Sequence, residues 1–113
     1  MALVAFTSSL HLTQLFRGGQ GAIKSDIGKY LSRCTNCGSS TSAGGPDSAS
    51  VQETNPSASS ATWTIEWVGD KIALKADNGK YLTRCPNCWV KAPYPDAAFV
   101  NGNSPSGASL WKL

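Results

Sequence analysis

Two pairs of cysteines, Cys34-x-x-Cys37 and Cys85-x-x-Cys88, have the most chemically suggestive spacing in the chain. Together they have the ligand count and spacing of a tetrahedral four-cysteine zinc site. Each pair can instead close a local disulfide, fixing the loop that follows, or persist as reduced structural thiols. All three readings stay open, with the disulfides Cys34–Cys37 and Cys85–Cys88 preferred. Zinc usually staples a domain with a poor core, whereas this chain supplies its own Trp, Ile, Leu and Val. A thioredoxin-like redox role needs the pair at a helix N-terminus, where the thiol pKa falls, and no helix is expected here.

A second set follows the second cysteine pair. Trp89, Tyr94 and Asp96, with Asn87 and Asn101 nearby, are the residue types of a sugar site. An aromatic ring stacks on the apolar face of a pyranose, while Asp and Asn hold its hydroxyls by hydrogen bonds. The competing reading packs Trp89 and Tyr94 under their loop as a small satellite cluster. The loop after the first cysteine pair, residues 38–46, has no aromatic residue and keeps only Asp47 as the counterpart of Asp96.

Catalysis has little to work with. His11 is the only histidine, and the seven carboxylates are scattered through turns with no close pair for acid–base work. The sequence contains neither a phosphate-cradling glycine loop nor a His-Glu-x-x-His motif. The expectation is a protein that is not an enzyme and uses no cofactor. Net charge is +3, a solubility charge rather than the dense basic face of a nucleic-acid binder. Lys24, Lys29, Arg33, Lys75, Lys80 and Arg84 recur at equivalent places and read as solvated strand positions. No apolar run reaches the length of a membrane span. The N-terminal stretch lacks a basic region and does not read as a signal peptide, so a cytoplasmic location is expected, with secretion as the alternative.

The elements that carry these residues come from a duplication. Ala22 to Cys37 reads AIKSDIGKYLSRCTNC, and Ala73 to Cys88 reads ALKADNGKYLTRCPNC, with 11 of 16 positions identical. Such self-similarity marks a repeated structural unit. Each copy predicts a strand, a tight turn (Asp26-Ile27-Gly28 or Asp77-Asn78-Gly79) and a return strand, with glycine supplying a left-handed backbone. A cysteine pair and a polar loop ending in Pro-Asp follow. Next come a short strand centred on Val51 or Val100 and then a Trp-bearing strand, Trp63–Trp67 or Leu110–Leu113. The spacing between copies is 51 residues at Cys34/Cys85, 49 at Asp47/Asp96 and 48 at Trp63/Trp111, so length changes fall in the loops. Residues 1–20 form an N-terminal segment with a strand around Leu10 and Leu12, residues 21–69 the first repeat and residues 70–113 the second, all in a single β domain.

Gly28-Lys29-Tyr30-Leu31 with Trp63, and Gly79-Lys80-Tyr81-Leu82 with Trp111, resemble the repeat of β-trefoil proteins of the fascin-like and plant-agglutinin type. The resemblance covers roughly residues 21–113. It implies an all-β, β-trefoil-like domain built from two four-strand repeats of ~50 residues plus an N-terminal strand. A trefoil has three such units and this chain two, which leaves an incomplete trefoil, two chains that complement each other, or another two-repeat β fold; open strand edges are avoided, so the homodimer is preferred. The resemblance also implies a lectin or agglutinin-like binder of glycans. The alternatives are a protein-binding module, actin-binding or inhibitor-like, and a structural zinc protein.

Overall fold

The computed structural model describes residues 19–38, 43–90 and 95–112. They form an all-β fold of eight antiparallel strands. These are β1 (Gln20–Gly21), β2 (Tyr30–Cys34), β3 (Ser48–Glu53), β4 (Trp63–Val68), β5 (Lys71–Lys75), β6 (Tyr81–Pro86), β7 (Asp96–Gly102) and β8 (Trp111–Lys112). Hydrogen-bonded neighbours run in the order β1-β4-β5-β6-β7-β3-β2, with β8 also on β5. Among the described residues the sheet does not close on itself. The strand expected around Leu10 and Leu12 lies outside them.

The duplication is carried into the backbone. Gly28 and Gly79 close the two hairpin turns at φ 83° and 82°. Ser25 N–H donates to the Lys29 carbonyl at 2.8 Å, and Ala76 N–H donates to that of Lys80 at 2.8 Å. Asn78 keeps negative φ, so the Asn-Gly turn is a three-residue connection ending in a left-handed glycine rather than the two-residue turn that Asn-Gly most strongly suggests. Strands β2 and β6 each shift register by a bulge, between Tyr30 and Leu31 and between Tyr81 and Leu82. Asn36 and Asn87, third in each cysteine turn, both take the left-handed conformation at φ 60° and 57°. A short 3-10 turn precedes each Trp strand, at Ser59–Ala61 and Gly107–Ser109.

The core follows from strand alternation. Trp63 and Ile65 point inward from β4, while Thr64 and Glu66 are half-buried on its other face. Strand β5 lies between β4 on one side and β6 and β8 on the other, and Ile72, Ala73 and Leu74 are all buried. Ile23, Ala76, Leu82 and Val100 complete the main cluster, and Leu31, Ala49, Ala98 and Trp111 pack against it. Each repeat secures its tryptophan in the same way. Trp63 Nε1 donates to the Leu31 carbonyl at 3.0 Å, and Trp111 Nε1 to the Leu82 carbonyl at 3.0 Å.

One strand departs from expectation. The first strand of repeat one was expected over Ala22–Ser25, and the sheet instead holds Gln20–Gly21, with a lone bridge from Lys24 to Tyr30. Its counterpart β5 runs for five residues. Strand β5 is paired on both edges, by β4 and by β6 and β8, whereas among the described residues β1 pairs with β4 alone.

Candidate functional site

The β6–β7 hairpin carries the second cysteine turn. Its register pairs Pro86 with Asp96, and Asn87 N–H bonds the Pro95 carbonyl, so Asn87 sits beside Asp96 at the hairpin's end. Both residues are exposed, and Trp89 follows two positions later, half-buried. Trp89 meets the buried Phe99 of β7 at a centroid distance of 5.6 Å and an interplanar angle of 70°. A T-shaped contact covers at most one indole face, because the rings are not stacked in parallel. Asn87 and Asp96 therefore lie together at the hairpin's end, and Trp89 leaves it two residues further along the chain to pack on Phe99.

The other two expected residues differ. Asn101 alternates to the same face of β7 as Phe99 and is engaged there. Its Nδ2 donates to the Gly44 carbonyl at 2.9 Å and lies 3.7 Å from Cys85 Sγ, so it ties the first loop to the second cysteine turn. Tyr94 lies outside the described residues. Asp96 is not free either. Arg84 Nη1 donates to it at 3.1 Å, with both side chains more than half exposed, which leaves the pair open to exchange with a polar ligand.

The four cysteines take the disulfide reading. Cys34 bonds Cys37 and Cys85 bonds Cys88, at Cα separations of 5.5 and 5.4 Å. The alternative zinc set of Cys34, Cys37, Cys85 and Cys88 is not assembled, because each pair closes on itself within its own repeat. Among the described residues no cluster of three or more His, Cys, Asp or Glu is placed to hold a metal.

The basic residues do not form a uniform stripe. Arg33, read as a solvated position, is 15% exposed and is held between two carboxylates. Its Nε and Nη2 donate to the two carboxylate oxygens of Asp77 at 2.6 and 3.1 Å, and its Nη1 donates to Asp47 at 2.9 Å. The Asp47 carboxylate also accepts Asn36 N–H at 3.0 Å. The hydrogen bond from Arg33 holds the Asp77 carboxyl below the usual range, with burial opposing it, and Asp77 in turn raises the guanidinium further above its ordinary value. Lys80 Nζ donates to Asn103 at 2.6 Å, and Lys75 Nζ lies 5.8 Å from the centre of the Tyr81 ring.

A further aromatic residue was not singled out by its sequence context. Trp67 continues the inward alternation of Trp63 and Ile65 yet is 57% exposed, beside the exposed Val68. Alternation predicts which face a residue takes, not whether anything covers that end of the strand.

The chain matches no family model, no characterised protein and no solved structure. Among the described residues no helix is long and apolar enough to cross a membrane.

Proposed function

We propose that the chain is a non-enzymatic carbohydrate-binding module of agglutinin-like, trefoil-type repeat architecture, with its site at the end of the β6–β7 hairpin. The observation that carries this reading is the pair of exposed polar side chains, Asn87 and Asp96, at the hairpin's end, with the half-buried indole of Trp89 two residues further along the chain. An indole face gives a pyranose an apolar platform, and the amide and carboxylate supply directional partners for its hydroxyls. Tyr94 joins the site in this proposal as a second ring. Asn101 has the supporting task of holding the loops in place.

The repeated strand pattern supports a trefoil-type unit, and the strand edges left open among the described residues support completion by a second copy of the chain. Two copies would display two sites and convert weak single-site affinity into avidity. The two disulfides favour an oxidising compartment over the cytoplasm.

A glycan array tests the reading, with the folded state of the protein checked by circular dichroism. Binding to a defined class of glycan supports it. Uniform absence of binding by folded protein overturns it, and co-sedimentation with actin then tests the protein-binding alternative. Sedimentation velocity over a range of concentrations tests the second copy, and a monomer throughout removes it.

A further inference from the structure

The two disulfides are equivalent in sequence but hold different things. Cys34–Cys37 closes a turn whose own backbone bonds stay within the first repeat, and the flanking side chains of Arg33 and Asp47 make the contacts to Asp77 and Asn78 of the second. Cys37 N–H donates to the Cys34 carbonyl at 3.4 Å, Gly38 N–H to the Pro46 carbonyl at 2.8 Å, and Asn36 N–H to Asp47. Cys85–Cys88 faces across the repeat boundary. The Cys88 carbonyl accepts Ala43 N–H and, at 3.1 Å, Gly44 N–H, both from the loop of the first repeat. Asn101 Nδ2 bridges the Gly44 carbonyl and Cys85 Sγ. Gly44 lies so close that a Cβ there would stand 2.7 Å from Cys88 Cβ and 2.9 Å from the Phe99 ring. One turn thus fixes both the first loop and, through the next residue in the chain, Trp89 against Phe99.

We propose that Cys85–Cys88 is a reducible latch that couples the first-repeat loop to the Trp89 patch. The turn it closes holds Asn87 in the left-handed region, which non-glycine residues adopt at a cost. Breaking the S–S bond removes the covalent constraint on that conformation, and the Cys88 carbonyl then leaves the Ala43 and Gly44 amides. The reductant is a dithiol. Its thiolate attacks Cys85 Sγ, since Cys85 is half-buried and Cys88 buried, and expels the Cys88 thiolate. The second thiol of the reductant resolves the mixed disulfide, expelling the Cys85 thiolate and closing its own disulfide. Overall, two electrons and two protons pass from the dithiol to the cysteine pair, and reoxidation resets the latch. The effect on ligand binding rests on the carbohydrate reading, whereas the latch itself is measured without any glycan.

Amide hydrogen exchange by NMR on the full chain, oxidised and then reduced with dithiothreitol, tests the proposal. On reduction Ala43 and Gly44 should exchange about tenfold faster or more, while the Ile65 and Ala76 amides keep their protection. The double variant Cys85→Ser/Cys88→Ser should reproduce that local loss with the first disulfide intact, and Cys34→Ser/Cys37→Ser should leave Ala43 and Gly44 protected. Unchanged protection of Ala43 and Gly44 in reduced wild type overturns the latch. So does a simultaneous loss at all amides, which would make the disulfide a staple of the whole fold. Should the Cys85→Ser/Cys88→Ser variant fail to fold, reduction of Cys34→Ser/Cys37→Ser, which keeps Cys85–Cys88 as its one disulfide, decides: loss of protection at Ala43 and Gly44 supports the latch, and unchanged protection overturns it.

Discussion

Arg33 and Asp77 form a two-pronged ion pair between the repeats: Nε and Nη2 of the guanidinium donate to the two oxygens of one carboxylate at 2.6 and 3.1 Å. Arg33 lies on the return strand of the first hairpin, and Asp77 lies in the turn of the second. The bidentate geometry and the mostly buried side chains make this a charge-assisted contact of the stronger kind. Among the described residues its counterpart Arg84 holds the exposed Asp96, by a single hydrogen bond.

The two arginines therefore predict unequal costs. Arg33→Ala leaves Asp77 and Asp47 without their main partner and should destabilise the fold by about 2–3 kcal/mol. Arg84→Ala should cost about 1 kcal/mol or less, as exposed ion pairs do. Urea unfolding of the two variants measures the difference, and equal midpoints would refute the assignment of Arg33 to the repeat junction.

The same contact sets an acid limb of stability. The folded-state pKa of Asp77 lies below its unfolded value, so its contribution is complete above the unfolded pKa of about 3.9. It is lost as pH falls through the folded value. Tyr81 sets the opposite limb. Burial, with the hydrogen bond it donates to Glu66, pushes its hydroxyl above the ordinary value. Its contribution is complete below the unfolded pKa of about 10 and declines as pH rises from there through the folded value. Urea midpoints measured from pH 2 to pH 11 should fall at both ends. Asp77→Asn should flatten the acid limb, and Tyr81→Phe the alkaline one.

The paired tryptophans make a third comparison. Trp63 is fully buried and Trp111 half-buried, and each bonds a leucine carbonyl in its own repeat. Trp63→Phe strands the Leu31 carbonyl in the interior and should cost about 1–3 kcal/mol more than an apolar change of equal volume. Trp111→Phe should cost less, because water can reach the partially exposed site. Equilibrium unfolding of both variants orders them.

Much of the fold was legible because local signals agreed. Asp-x-Gly turns, Gly-Lys-Tyr-Leu strands and the closing tryptophans appear twice at matched spacing, and the structure repeats their geometry down to the left-handed residues. The shortness of β1 was not legible, because it depends on which strands pair with it and not on its own residues. The candidate site was legible in part. Asn87 and Asp96 meet because the hairpin register brings them together, but nothing near Asn101 in sequence marks Gly44 as its partner, 57 residues away. Arg33 and Arg84 show the limit most clearly. Each precedes a Cys-x-x-Cys turn and follows the same Lys-Tyr-Leu segment, yet one is largely enclosed and the other open. Their difference lies in what the other repeat presents to each, and local periodicity carries no information about that.

The central claim is that the Trp89 patch binds carbohydrate. The most direct measurement is a glycan array probed in parallel with wild type, Trp89→Ala and Trp67→Ala, with near-UV circular dichroism on all three. The account predicts that wild type and Trp67→Ala bind the same glycans, while Trp89→Ala stays folded and loses binding by at least about tenfold, roughly 1.4 kcal/mol. Undiminished binding by Trp89→Ala, or no binding by folded wild type to any glycan, would contradict it.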